Sequence, residues 1–324
     1  MCKVLVTGAG GFIGSHLTEL LVKEGFDVRA FVRYNGKNDW GWLETSEIKN
    51  DIEVITGDIR DYDSVYSAVK GCEAVFHLAA LIGIPYSYVS PLAYIRTNVE
   101  GTYNVLEAVR QLELQQVLVT STSETYGTAQ YVPIDEKHPA VGQSPYSATK
   151  IAADQLADSY FRSFDTPVKI VRPFNTYGPR QSARAIIPTV ITQILSGKTE
   201  LKLGNLDPTR DLTFVKDTAR GFLEIFKSDI TFGEATNIGM SEEISVGNLV
   251  ELIGQLLGVK LSVSQEQQRV RADKSEVQRL KCDNSKLKKL TNWAPDYNLT
   301  TGLQETIEFL KNNLIRYKPE IYNV

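Results

Sequence analysis

The sequence predicts an α/β protein: a doubly wound parallel sheet carrying a second, smaller α/β lobe. Three observations predict it. Short apolar runs alternate with amphipathic stretches, a glycine-rich turn follows the first run, and the rhythm loosens after about residue 175. Strands separated by helices in this way build parallel sheets covered on both faces.

The strand-like runs are "KVLVT" (3–7), "DVRAFV" (27–32), "IEVITG" (52–57), "AVFHLA" (74–79), "QVLVTS" (116–121) and "VKIVRP" (168–173). Helical periodicity falls between them at 12–25, 61–70, 96–111 and 146–163, and later near 184–196, 246–257 and 300–313. Residues 1–175 read as the first domain, with roughly 208–240 returning to it, and 176–324 mainly as the second. The stretch 125–145 is long and aperiodic, a pattern that marks functional or mobile loops.

Composition excludes several roles. The 324 residues suffice for two packed lobes. A balance of 35 basic and 39 acidic residues, net −4, gives no nucleic-acid or anionic-membrane surface. Cys2, Cys72 and Cys282 lie far apart, and the three histidines pair with no ligand at metal spacing. No metal and a reducing, cytoplasmic setting are therefore expected. No run approaches a membrane span, and with an apolar strand pattern starting at residue 3 no secretory leader is expected.

"VTGAGGFIGSHL" places Gly8, Gly11 and Gly14 after a strand and at a helix start. Glycine lets backbone approach a pyrophosphate, and a helix N-terminus offers unpaired N–H groups with partial positive charge. This is a Rossmann-type cofactor loop. The second strand ends with Val32 where an acid would hold the ribose of NAD, and Arg33 follows. An arginine can clamp a 2′-phosphate, so NADP is expected, with NAD as the alternative. Asp58 in "TGDIRD" is placed to accept from the adenine amino group or to cap the 61–70 helix.

"SPYSATK" sets Tyr146 and Lys150 four apart on one helix face, with Ser144 and Pro145 suited to its start. A tyrosine is a poor base at neutral pH unless positive charge stabilises the phenolate, and Lys150 with an oxidised nicotinamide would lower its pKa. "VTSTSETYG" (119–127) ends an apolar strand on Thr122, Ser123 and Glu124.

Together "VTGAGGFIGSHL", "GDIRD", "HLAA", "TNVEGTYNVLEA", "TSTSETYG", "YSATK", "RPFNTYGPRQ" and "DLTFVKDTARG" resemble an extended short-chain dehydrogenase/reductase of the nucleotide-sugar epimerase/dehydratase type. The resemblance implies cofactor contacts from Gly8, Gly11, Phe12, Ile13, Arg33, Asp58, Ile59, Leu78, Ala79, Ala80, Tyr146 and Lys150. It implies that Thr122 binds the sugar C4 hydroxyl while Tyr146 removes its proton. Ser123-Glu124 resembles the 4,6-dehydratase form, in which Glu124 would take the C5 proton, since C4 oxidation acidifies it. UDP-glucuronate decarboxylases share Thr-Ser-Glu, but they carry a basic residue after the lysine that "YSATKIA" lacks. The wording around "ALIGIPYSYVSP", "DEKHP", "AIIPT" and "SEV" is similar to GDP-N-acetylglucosamine 4,6-dehydratases of legionaminic-type sugar synthesis, with UDP-sugar dehydratases, decarboxylases and 4-epimerases as alternatives. Tyr86, Asn175, Arg184, Lys202, Arg210 and Arg271 are then the implied contacts to a nucleotide-diphosphate sugar. The helices over 89–111 and 144–164 imply a homodimer built as a four-helix bundle.

Overall fold

The computed structural model describes residues 2–270 and 272–319. The chain opens with β1 (Lys3–Thr7), α1 (Phe12–Lys23), β2 (Asp27–Arg33), β3 (Glu53–Gly57), α2 (Tyr62–Val69) and β4 (Ala74–His77). Next come α3 (Ile84–Val89), α4 (Pro91–Tyr94), a π-helical turn over Ile95–Glu100, and α5 (Gly101–Gln111). β5 (Gln116–Thr120), α6 (Pro145–Phe164) and β6 (Val168–Pro173) complete the first half. The second half adds β7 (Asn175–Tyr177), α7 (Ile186–Leu195), β8 (Glu200–Leu203), β9 (Thr209–Arg210), β10 (Leu212–Phe214) and α8 (Val215–Lys227). It ends with β11 (Ala235–Ile238), β12 (Ile244–Ser245), α9 (Val246–Leu257), β13 (Ser262–Gln265), α10 (Ser285–Leu290) and α11 (Leu299–Asn313).

Seven strands form one parallel sheet in the order β11-β6-β5-β4-β1-β2-β3. This is the Rossmann-type doubly wound architecture that the sequence predicts. Its period-2 alternation is visible in β1. Val4 and Val6 join Leu17, Leu21 and Phe222 on one face, whereas Leu5 joins Val65, Val105 and Ala157 on the other. α1 and α8 thus cover one face, and α2, α5 and α6 the other. Each such valine, leucine or phenylalanine, fully buried, contributes about 1.5–3 kcal/mol. Strand order reverses between β1 and β4, and a crevice opens there at the strands' carboxyl ends.

β11 adds a sixth-to-seventh edge pairing in register Ala235↔Ile170, and α8 packs on α1. Sequence periodicity marks no strand at 235–238, because "ATNI" is short and half polar. The second core gathers Ile187, Val190, Leu203, Leu249, Leu303 and Ile307 from α7, β8, α9 and α11.

Three boundaries differ from expectation. The apolar run 74–79 leaves the sheet after His77, because the N–H groups of Leu78 and Ala79 turn to Thr7 Oγ1, each at 3.1 Å. The helix expected over 89–111 is interrupted: Pro91 starts α4 after Ser90, and a π-turn precedes α5. Asp61, not Asp58, stands at the N-cap of α2. The aperiodic loop is pinned by its own small core, in which Ile134 bridges to Cys282 and packs with Tyr126 and Phe174. Among the described residues, no helix is long and apolar enough to cross a membrane, and no group of three ligands could hold a metal.

Candidate active site

A cleft of about 1660 Å³ runs from the crevice beside β1 into the second lobe. The glycine turn forms one wall. Gly8 has φ +71, a backbone state that costs glycine little. A Cβ at Gly8 would stand 2.9 Å from the Ala79 nitrogen, and one at Gly14 would collide with the Gly8 carbonyl oxygen. Gly11 is the N-cap of α1 and carries no side chain to cap it. The helix therefore presents its first N–H groups to the cleft, and the cradle fits a pyrophosphate. Phe12, Ile13, Ile59, Leu78, Ala79 and Ala80 line the same channel.

Arg33 is exposed and lines the far end of that channel, with Asn35, Lys37 and Arg60. Asp58 lies there too, but Arg60 holds its carboxylate with Nε at 2.9 Å and Nη2 at 2.5 Å. That bonding, from Arg60 first, pulls the Asp58 pKa down to about 2. The carboxylate is thus engaged with its neighbour's guanidinium rather than with a helix end.

The chemistry-bearing residues meet at the end of β5. Thr122 caps a short 3-10 turn, Ser123–Tyr126, by accepting from the Glu124 N–H at 3.3 Å. The hydroxyl-rich strand end is therefore a tight turn that faces the cleft. Ser144 opens α6 with a capping box to Ser147, and Pro145 sits in its first turn. One turn apart, Tyr146 and Lys150 come to the cleft wall beside Thr122, Ser123 and Glu124. Glu124 is 9% exposed, Tyr146 7% and Lys150 5%.

Burial governs both members of the pair. It draws the Lys150 pKa down to about 8, with Asp154 opposing. It pushes Tyr146 upward; the Thr122 hydroxyl opposes, while Glu124 adds to the rise. The expected lowering of Tyr146 is thus reversed in the protein by itself. The physical reason is desolvation of a phenolate in a site where the Lys150 ammonium donates to the Thr120 carbonyl oxygen at 2.5 Å.

The second lobe supplies the rest of the wall. Tyr86, Asn175, Arg184 and Arg210 all line the cleft. Asn175 Oδ1 is buried and takes no hydrogen bond among the described residues. Arg210 donates to the Thr209 carbonyl oxygen at 2.8 Å and pairs with Glu276 at 3.3 Å. Lys202 does not join them. It is exposed on β8, where alternation turns Leu201 and Leu203 inward, and Leu203, Gly204 and Asn205 line the cleft instead. Arg271 lies outside the described residues.

The profile of the family described as GDP-mannose 4,6 dehydratase matches residues 5–306. The chain belongs to that family. A UDP-N-acetyl-alpha-D-glucosaminuronate decarboxylase of Bacillus cytotoxicus is 31% identical over 324 residues, spanning 95% of this chain and 98% of that protein. The solved UDP-glucuronic acid 4-epimerase of Bacillus cereus, in complex with UDP-glucuronic acid and NAD, is 29% identical with TM-score 0.87, covering 96% and 99% of the two chains. The dTDP-glucose 4,6-dehydratase DesIV of Streptomyces venezuelae, with NAD and TYD bound, is 27% identical with TM-score 0.87, covering 98% and 99%. The GDP-mannose 4,6-dehydratase family chain is accordingly an enzyme of the nucleotide-sugar dehydratase, epimerase and decarboxylase group on a short-chain dehydrogenase scaffold.

Sequence reasoning missed several residues of this family member's site. Asn98, in the π-turn, accepts from the Leu81 N–H at 2.8 Å and donates to Leu81 O and Thr149 Oγ1 at 3.0 and 3.1 Å. It holds the loop after β4 against α6, and its one signal is an amide within "TNVEGTYN". Tyr94 stacks edge-on to Tyr146 with centroids 6.2 Å apart. Trp40 closes over Gly10, as a Cβ at Gly10 would strike the Trp40 carbonyl. These contacts span distant segments and leave no local spacing to read.

Proposed function

We propose that this chain is a nucleotide-sugar 4,6-dehydratase acting on an NDP-hexosamine, with GDP-N-acetylglucosamine as substrate and a 4-keto-6-deoxy sugar as product. The carrying observation is that Glu124, a buried carboxylate, lines the same cleft as Tyr146 and Lys150. An epimerase needs a group to move one proton at the C4 hydroxyl. A dehydratase needs a second base near C5, and Glu124 is that base.

The residues divide the work as follows. Thr122 orients the C4 hydroxyl, and Tyr146 takes its proton with Lys150 at its side. Glu124 removes the C5 proton once C4 is a ketone and returns it, through Ser123, to the departing C6 hydroxyl, which leaves as water; when hydride comes back to C6, C5 takes up a proton from solvent. The nicotinamide, when bound, supplies hydride acceptance at C4 and its return at C6. Gly8, Gly11 and the start of α1 would hold its pyrophosphate. Arg33 supports NADP as the cofactor, whereas the NAD named with the Bacillus cereus and Streptomyces venezuelae structures favours NAD. Asn175, Arg184 and Arg210 would hold the sugar diphosphate.

Residues 1–175, with roughly 208–240, make up the dinucleotide lobe in this reading, and 176–324 mainly the nucleotide-sugar lobe. The choice of GDP-N-acetylglucosamine, and a place in legionaminic-type sugar synthesis, rests on the similarity of "ALIGIPYSYVSP" and "AIIPT" to such dehydratases. Leu92, Ile95 and Phe164, between 49% and 56% exposed near α4 and on α6, support a homodimer. Three unpaired cysteines suit a reducing cytoplasm.

Incubation with GDP- and UDP-N-acetylglucosamine, followed by product mass, tests the reading. Loss of one water without net cofactor reduction is expected. An unchanged mass with an inverted C4 rejects dehydration. The decarboxylase reading, favoured by the Bacillus cytotoxicus relative, instead requires carbon dioxide release from a UDP-uronate.

A further inference from the structure

Beneath the Tyr146–Lys150 pair lies a buried group of charges and hydroxyls that the reaction above does not use. α6 carries Tyr146, Lys150 and Asp154 at successive four-residue steps, so all three share one face. Asp154 is 5% exposed. Its Oδ2 accepts from Ser121 Oγ at 2.6 Å and from Arg172 Nη2 at 2.7 Å. Arg172 also donates to Ser121 Oγ at 3.2 Å and to the Tyr126 hydroxyl at 2.7 Å. The other carboxylate oxygen, Oδ1, is buried and takes no hydrogen bond among the described residues. One carboxylate therefore joins α6 to β6 and to Ser121, which stands between Thr120, the acceptor for Lys150, and Thr122.

A buried ion pair is a poor device for stability alone. Two charges lose their hydration, and apolar side chains of similar volume often serve as well. The position of this pair gives it another use. We propose that Asp154 is a positioning residue: its carboxylate keeps the Lys150 ammonium charged inside the site and, through Ser121, sets the strand end from which Thr122, Ser123 and Glu124 project. This rests on Tyr146 and Lys150 as the proton-moving pair. It does not depend on whether C4 oxidation leads to dehydration, epimerisation or decarboxylation.

The titratable and charged groups around Lys150 support this assignment. Tyr146 and Asp154 share its helix, His77 comes from β4, Glu124 from the turn after β5, and Arg172 from β6 behind Asp154. His77 is buried and neutral, its pKa pushed down to about 3 by burial and then by Lys150 itself. Among these, the Asp154 carboxylate favours the lysine's charge while burial opposes it. Loss of that carboxylate would leave Arg172 as an uncompensated positive neighbour, which lowers the proton affinity of Lys150 further.

The test is a ¹³Cε-lysine NMR titration of the full chain, with the Lys150 resonance assigned from Lys150→Met. In Asp154→Asn, the Lys150 midpoint is expected at least about one pH unit below wild type. Ser121→Ala cuts the tether but leaves the charge, and should leave the midpoint in place. The alkaline limb of kcat/KM should move with the midpoint, which a purely structural loss would not cause. If Asp154→Asn does not fold, Asp154→Leu combined with Arg172→Met removes both charges, and a smaller downward displacement is expected, because Arg172 no longer adds to it. An unmoved midpoint in a folded variant lacking the Asp154 carboxylate overturns the proposal. A product that proves to be an epimer would sink the dehydratase reading while leaving this titration intact, so the two failures are distinct.

Discussion

Lys150 reaches with its Nζ to within 2.5 Å of the carbonyl oxygen of Thr120, the last residue of β5. The helix that carries the lysine is thereby fastened to the strand that carries the catalytic turn. Its charge is held in a place that disfavours it, and a stability prediction follows from that conflict.

Burial lowers the Lys150 pKa from 10.5 to about 8. Below pH 8 the folded protein bears the full cost of the buried ammonium. Between about 8 and 10.5 the folded lysine has released its proton while the unfolded chain still binds one, so the cost fades as pH rises. Lys150→Met should therefore abolish turnover yet raise Tm at pH 7, by at most about 3 kcal/mol of stability. The gain should shrink toward pH 10.5. Thermal melts of both proteins across this range check it, and a gain independent of pH would contradict it.

Glu124→Gln should keep cofactor affinity and lose the exchange of the sugar C5 proton with deuterated solvent. A missing general base of this kind lowers the rate by about 10²–10⁴-fold. Mass spectrometry of sugar recovered from D₂O reads the exchange directly. Near-normal deuterium uptake would remove Glu124 from its role as base.

Arg33→Ala separates the two cofactors. A lost charge-assisted hydrogen bond is worth about 1.5–3 kcal/mol, so NADP affinity should fall roughly 10- to 100-fold while NAD affinity changes little. Titration of each dinucleotide by intrinsic fluorescence makes the comparison. Equal losses for both would place the arginine away from any 2′-phosphate.

Gly14→Ala sets a methyl group against the Gly8 carbonyl oxygen. Backbone must shift to relieve it, at about 1–3 kcal/mol. The shift falls on the phosphate cradle, so dinucleotide binding should drop more steeply than Tm. A variant that binds both dinucleotides as wild type does would show that the turn tolerates the extra atom.

Ile95→Asp puts a charge on the apolar surface that Ile95 and Leu92, three residues apart, expose. Light scattering after gel filtration should report the monomer mass if those helices pair two chains. An unchanged dimer mass would move the interface elsewhere.

Sequence alone carried the main strands of the sheet, the glycine cradle, the four-residue step from Tyr146 to Lys150 and the polar end of β5. All are relations between near neighbours along the chain, and alternation, helical pitch and glycine's freedom act over a few residues. The alternation of Leu201, Lys202 and Leu203 was equally present in the sequence, yet only the packed lobe decided which of them meets the cleft. Tertiary structure also put Asp61 rather than Asp58 at the N-cap position of α2, broke the 89–111 helix at Pro91 and the π-turn, and brought β11 to the sheet edge. Above all it set the direction of the Tyr146 shift. Whether a phenol gains or loses its proton more easily depends on which distant groups share its dry surroundings, and no local spacing records that.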